Sequence, residues 1–326
     1  MSIITIKMLA NELHLSIATI SKALRDSHEI SVETKQRVFE LAEKLNYVPN
    51  PYASSLRKRK SKTIAVVLPE VADSFFSFAI NGIETIAQEK GYHVLIYLTH
   101  EKFTKEAAII KDFQGGRVDG ILLSVSSETK ETSHIKELLS RNIPVVFFDR
   151  VCEDIPTAKI ITDDFESGYK ATRHLIERGC RYIALLSISN SLSITNKRME
   201  GYKKALLDSK IKIRQSFIVP CTNDTDHNYT LVSNLMKRKI KPDGILATVE
   251  KLTPTIYLVC KDLHLRIPRD VKVVIFSNLQ TASILNPSLT TIIQPAFEMG
   301  KAAATALFKA LEKSNTDLEK ESLVIP

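Results

Sequence analysis

Along the first 45 positions, apolar residues recur at helical spacing. Ile6, Leu9, Ala10 and Leu13 fall on one face of a 3.6-residue period, which predicts a helix over 6–13. His14-Leu15-Ser16 reads as a tight turn, with Ser16 placed to cap a second short helix over 17–25. Ile17, Ile20 and Leu24 are the candidate core positions of that helix. Ser31 is placed to cap a third helix running to about Leu45, whose apolar face is Val38, Leu41, Ala42 and Leu45. Glu33 in its first turn complements the helix dipole. Pro49 and Pro51 then interrupt the pattern, because proline lacks an amide donor. Residues 51–59 form a further helical candidate, too short to be stable alone in water.

From Thr63 the texture changes. Short apolar runs read as strands at 63–69, 93–98, 119–124, 144–148, 159–162, 182–187, 216–220, 244–247 and 271–276. Amphipathic stretches separate them at 75–90, 105–114, 133–141, 165–178, 198–209, 229–238 and 254–263, and a last long helix is expected over 295–313. Repeated strand–helix alternation predicts parallel sheets covered on both faces. The length suits two such lobes of about 120–150 residues each.

Composition adds little to this picture except through charge. Hydrophobic residues make up 44% and charged residues 25%, an ordinary globular balance. The first 62 residues hold 11 Lys/Arg against 6 Asp/Glu, whereas the remaining 264 hold 34 against 31. A small basic unit on a near-neutral body fits nucleic-acid binding. The N-terminus shows no basic region followed by an apolar run, and no run approaches the ~20 residues that span a bilayer, so a cytoplasmic chain with no membrane partner is expected. Cys152, Cys180, Cys221 and Cys260 are widely spaced, which argues for reduced thiols and against a zinc site. No metal or cofactor is expected.

The first two helices have helix-turn-helix spacing, a geometry that lays the second helix in the DNA major groove. Thr5, Ser16, Thr19, Ser21, Ser31 and Thr34 place short hydroxyls near helix ends, suited to phosphate oxygens or simply to capping. Residues 5–57 resemble the N-terminal domain of the LacI/GalR family of bacterial repressors. The resemblance is carried by Thr5-Ile6-Lys7 with Ala10, by Ser16-Ile17-Ala18-Thr19-Ile20-Ser21, and by Leu45-Asn46-Tyr47-Val48-Pro49-Asn50 with Ala53 and Leu56. The departures are Met8, where the family usually has Asp, and His14-Leu15, where it usually has Gly-Val. The resemblance implies that Ile17, Ala18 and Lys22 read bases, Lys22 donating to guanine and Ile17 or Ala18 touching a thymine methyl. It also implies that Asn50, Ala53 and Leu56 belong to a hinge helix that enters the minor groove, where an inserted leucine unstacks a base step. Arg57–Lys60 supply phosphate attraction or are a solvated linker.

The resemblance continues, more loosely, through Asn81-Gly82-Ile83-Glu84, Phe148-Asp149-Arg150, Arg198 with Gly201-Tyr202, and Pro287-Ser288-Leu289-Thr290-Thr291. It implies an all-α helix-turn-helix domain (1–48), a hinge and linker (49–62), and an α/β effector and dimerisation domain (63–326). That last domain would have the type I periplasmic-binding-protein fold. Its two doubly wound parallel-sheet lobes would cover approximately 63–162 plus 292–326, and 163–291. Ligands of such sheets sit beyond the strand C-termini. Candidate effector contacts are Asp149 at a strand end, Arg198 at the start of a helix, Phe76 as a stacking ring, and Ser277 and Asn278 at another strand end; the alternatives are that Asp149 caps the next turn and that Phe76 is core. Three departures weaken this half: Ile188-Ser189 replaces Gly-Pro, Val249-Glu250 replaces Asn-Asp, and Ile275 replaces Gly. Relatives also continue with one more strand segment beyond Leu323-Val324-Ile325-Pro326.

The expected function is a DNA-binding transcription regulator, a repressor that binds a pseudo-palindromic operator in double-stranded DNA as a homodimer and responds to a small molecule, with a sugar as the commonest family effector. The alternative is a DNA-binding regulator controlled by a protein partner or by no effector. A solute-binding protein would need a signal peptide and no DNA head. An enzyme is disfavoured by the lack of a Gly-rich phosphate loop, a Gly-x-Ser-x-Gly elbow or a metal cluster, and the neighbouring Asp163 and Asp164 should point apart.

Overall fold

The computed structural model describes residues 4–47, 61–189, 191–313 and 316–326. The chain divides between residues 59 and 60 into two compact units. Of the hinge and linker expected at 49–62, residues 49–60 lie outside the described residues, and Asn50, Ala53 and Leu56 with them.

The first unit contains α1 (Ile6–Glu12), α2 (Ile17–Ala23) and α3 (Val32–Lys44). Leu9, Ala10, Ile20, Ala23, Val38 and Ala42 form its buried core, with Ile6, Leu13, Leu24, Leu41 and Leu45 packed around them. Both expected caps are made: Ser16 Oγ accepts from Thr19 N at 3.0 Å, and Ser31 Oγ from Thr34 N at 3.3 Å. α1 ends through Leu15 N donating to Ala10 O at 2.9 Å, with His14 in the left-handed region at φ 54°. That position favours glycine, because a Cβ there crowds the backbone.

The second unit holds two parallel sheets. The first has the order β11-β5-β4-β3-β1-β2, built from β1 (Thr63–Leu68), β2 (His93–Leu98), β3 (Gly120–Leu123), β4 (Val145–Phe148), β5 (Lys159–Thr162) and β11 (Leu323–Ile325). The second has the order β10-β9-β8-β6-β7, from β6 (Ile183–Ser187), β7 (Ile218–Pro220), β8 (Gly244–Ala247), β9 (Lys272–Phe276) and β10 (Thr290–Ile292). β1, β3, β4, β6 and β8 are buried along their whole length, as strands covered on both faces must be. Apolar clusters lie on both sides of each sheet. The doubly wound architecture expected from the alternation is therefore present. β10 and β11 were not anticipated; both are three residues long and largely unburied, and the apolar run of β11, Leu323-Val324-Ile325, is shorter than the other runs read as strands.

Among the helices, α4 (Ser74–Glu89) and α11 (Ala296–Glu312) pack together over the first sheet. Between them in the chain lie α5 (Phe103–Phe113), α6 (Ser133–Ser140), α7 (Asp164–Glu177), α8 (Ser193–Asp208), α9 (Thr225–Met236) and α10 (Thr253–Asp262). α7 and α8 cross at backbone contact. A Cβ on Gly201 would stand 2.1 Å from Phe165 O, and one on Gly168 would stand 2.3 Å from Arg198 O. This closeness sets Asp164 beside Arg198.

Candidate functional site

On α2 the burial pattern separates packing from presentation. Ile20 and Ala23 are fully buried, while Ile17 is 48% exposed and Ala18 is exposed. Ile17 is therefore not a core residue, as its spacing had suggested; at the first helical position it projects past the neighbouring helices. Lys22 is half-exposed and ion-paired to Glu29. Ser21 Oγ accepts from Arg25 Nη2 at 3.1 Å. Ser16 and Thr19 share a hydroxyl bond at 2.8 Å, and Ser31 and Thr34 one at 2.9 Å. Thr5 precedes α1, is exposed and makes no side-chain cap bond. The face thus offers two apolar groups, one ammonium and several hydroxyls to solvent.

In the second unit the C-terminal ends of both sheets face a cleft. Asp149 follows β4, at φ 61°, and is 6% exposed. Burial pushes its carboxyl up to about 6, against the opposing pull of Arg150 and Arg198. Arg198 is 2% exposed. Its Nε donates to Asp164 Oδ1 at 2.7 Å, its Nη1 to Thr248 O at 2.6 Å, and its guanidinium lies 3.9 Å from the Phe276 ring centroid. It stands in the second turn of α8 rather than at a helix start, because the polar stretch from Ser193 is already helical. Asp163 caps α7 through Glu166 N, while Asp164 turns inward to Arg198. Phe76 is 3% exposed and packs edge-on against Phe75 and Phe148, so its ring belongs to the core, with the Arg150 guanidinium 5.9 Å away.

Ser277 and Asn278 follow β9 and are already engaged. Ser277 Oγ donates to Glu250 at 2.5 Å, and Asn278 N donates to it at 3.1 Å. Asn278 also clamps the backbone of Gln294, donating from Nδ2 to its carbonyl at 2.7 Å and accepting from its N–H at 3.2 Å. Sequence reading marked Glu250 only as a lost ligand pair, and missed Asp164, Asp73, Glu101 and Arg150. Arg150 Nη1 donates to Glu101 at 2.9 Å. Burial raises Glu101, but Arg150 and the Ser127 amide outweigh it and hold the carboxyl below its ordinary range. Asp73 is pushed up to about 6 by burial and by the charge of Glu250.

The space left among Phe76, Asp149, Arg150, Arg198 and Ser277 is about 20 Å³. That admits one water, whereas small-molecule sites usually offer roughly 300–1,000 Å³. Arg198 Nη2 and Thr248 Oγ1 find no hydrogen-bond partner there among the described residues. A cavity of about 670 Å³ opens alongside, lined by Glu70, Asp73, Glu101, Glu250, Lys251 and Tyr257. Among the described residues no metal-ligating cluster occurs, and no helix is long and apolar enough to cross a membrane.

A helical head with a presented reading helix, joined to two parallel-sheet lobes over a cleft, defines a DNA-binding transcription regulator. Residues 5–50 match the family described as bacterial regulatory proteins, lacI family. Residues 61–326 match the periplasmic binding proteins and sugar binding domain of LacI family. The chain belongs to the LacI family of transcription regulators and is not an enzyme. It is similar to catabolite control protein A of Priestia megaterium, 28% identical with 96% of this chain and 94% of the relative covered. It is similar to a ribose operon repressor of Halalkalibacterium halodurans, 29% identical with 96% and 92% covered. A LacI-family regulator from Enterococcus faecium, solved with bound ribose, superposes with a TM-score of 0.67 at 25% identity, covering 78% of this chain and 92% of that one.

Proposed function

We propose that this chain is a cytoplasmic repressor that binds a pseudo-palindromic operator as a homodimer and answers to a small molecule, a sugar, in the interlobe cleft. The observation that carries the DNA half is the division of α2 into a buried face (Ile20, Ala23) and a presented one (Ile17, Ala18, Lys22). Those three residues read base edges in the major groove, and Thr5, Ser16, Thr19, Ser21, Ser31 and Thr34 contact phosphates. Asn50, Ala53 and Leu56 enter the minor groove. Pairing of two heads doubles the bases read and imposes two-fold symmetry on the site. Leu95 and Ile96 on the edge strand β2, exposed at 37% and 45%, suit a second copy of the chain. Asp149, Arg198, Phe76, Ser277 and Asn278 surround the effector position, and the room for a monosaccharide lies in the adjoining cavity of about 670 Å³, lined by Glu70, Asp73, Glu101 and Glu250. The relatives named for ribose support a sugar. Selection of bound duplexes from a random library tests the reading: a two-fold consensus is expected, and failure to enrich any sequence would overturn it.

A second reading, a regulator without a small-molecule effector or under a protein partner, is favoured by one observation. The polar groups at the effector position are satisfied largely by one another, and the space among them is about 20 Å³. Operator affinity measured across a panel of sugars and nucleobases separates the two; a shift with any compound supports the first.

A further inference from the structure

Four hydrogen-bond donors converge on the carboxylate of Glu250, and they come from both lobes. From the lobe of the first sheet, Ser74 at the start of α4 donates its N–H at 3.1 Å and its hydroxyl at 2.8 Å to Oε1. From the lobe of the second sheet, Ser277 Oγ and Asn278 N donate to Oε2 at 2.5 and 3.1 Å. A carboxylate has about four lone-pair sites, so this one is saturated. Bonds to an ionised acceptor are among the stronger hydrogen bonds, and an anion at Ser74 also meets the positive end of a helix. Next in sequence, Lys251 Nζ reaches across to Glu70 and Glu101 at 3.7 and 3.8 Å. Two neighbouring residues of one lobe thus grip the other by hydrogen bonds and charge.

We propose that Glu250 is a tethered ligand: its carboxylate occupies the cleft as a bound effector would, and it holds the lobes closed with no small molecule present. The inference rests on reading this cleft as the effector site and specifies how that site is controlled. A free ligand that needs the same four donors competes with a group on the same chain, whose effective concentration is roughly millimolar or higher. A ligand that binds those donors no more tightly than a carboxylate does must therefore reach a comparable concentration before it displaces Glu250.

The far rim of the cleft supplies the test, because it closes through groups that do not touch Glu250. There Ser191 Oγ donates to Ser127 O at 2.9 Å, and Leu192 and Ile194 are buried in an apolar cluster of the first-sheet lobe. In the full-length Glu250→Ala variant, amide hydrogen exchange should accelerate about tenfold or more at 72–78 and 276–280, and equally at 125–127 and 192–196 on the far rim. Millimolar acetate should refill the vacated cradle and slow exchange on both rims, whereas chloride at equal ionic strength should not. Acceleration confined to the first two segments would make Glu250 a local contact and overturn the proposal. Opening of both rims without acetate rescue would overturn it too, since the carboxylate would then not act as a ligand. If the alanine variant fails to fold, Glu250→Gln keeps the side-chain volume but turns an amide NH2 toward two donors; far-rim exchange as slow as in the wild type would again overturn it. The effector reading is tested on the unaltered chain by the panel of sugars and nucleobases, so loss of this proposal and loss of that reading are separate results.

Discussion

Two surfaces of this chain are built from residues suited to binding, and they are left in opposite states. On α2, Ile17 and Ala18 stand in solvent and Lys22 is held by an exposed glutamate. In the cleft, Arg198 is held by Asp164, by a backbone carbonyl and against an aromatic ring, and Asn278 is bonded through both its backbone and its side chain. The first surface can meet a partner by exchanging one weak ion pair and water. The second must give up strong internal bonds. A shared residue pattern therefore does not carry a shared degree of vacancy: the same polar groups that bind a ligand in one chain can be satisfied by the chain itself in another.

The comparison can be broken most severely at Arg198. Replacing it with Ala leaves the Asp164 carboxylate buried and unpaired, which should destabilise the second unit by about 3–5 kcal/mol. Urea denaturation of the full chain, with the two units followed as separate transitions, measures this. A loss under about 1 kcal/mol would return Arg198 to the role of a ligand contact.

Lys22→Ala probes the open surface. Operator affinity should fall by about 1–3 kcal/mol, roughly fivefold to 150-fold, with relaxed preference at one base pair per half-site. Anisotropy titration on the selected operator and its single-base variants is the check; equal loss on every sequence would make Lys22 a phosphate contact.

The buried carboxylates predict a pH effect in the cleft. Asp149 and Asp73 titrate near 6 in the folded chain, above the ordinary 3.8. Groups raised in this way contribute stability that is complete below about 4 and is lost as pH rises through about 6. Glu101, shifted down, acts below its ordinary range and outside this window. The melting temperature of the second unit should therefore rise by a few degrees between pH 7 and pH 5, and Asp149→Asn should flatten that slope. The smallest effect is expected at the turn of the head. His14→Gly relieves a left-handed conformation and should stabilise the first unit by about 0.5–1 kcal/mol, measurable as a shift in its own transition.

The head was legible in the sequence because its signals are local. Helical periodicity and two serine caps lie within a few residues of what they determine, and they marked all three described helices. Periodicity alone still misplaced Ile17, since the outermost position of an apolar stripe can project beyond its neighbours. In the body, buried parallel strands announced themselves as continuous apolar runs, whereas β10 opens on two threonines and β11 is only three residues long. Arg198 was found, but its partner Asp164 lies 34 positions away and its inward turn depends on the Gly168–Gly201 crossing. Glu250 read as a loss because Ser74, its far partner, is 176 positions away, and no local pattern records such a pair.

The double attachment of Asn278 bears on how the lobes move. The chain passes back toward the first sheet through Ile293–Pro295, and the Asn278 carboxamide grips the middle of that crossing at Gln294. Its own amide holds Glu250. Pivot and clasp are thus joined through a single Cα. Rotation about the crossing loads the clasp directly, and slackening of the clasp frees the pivot, as in a door whose bolt is cut from the same metal as its hinge pin.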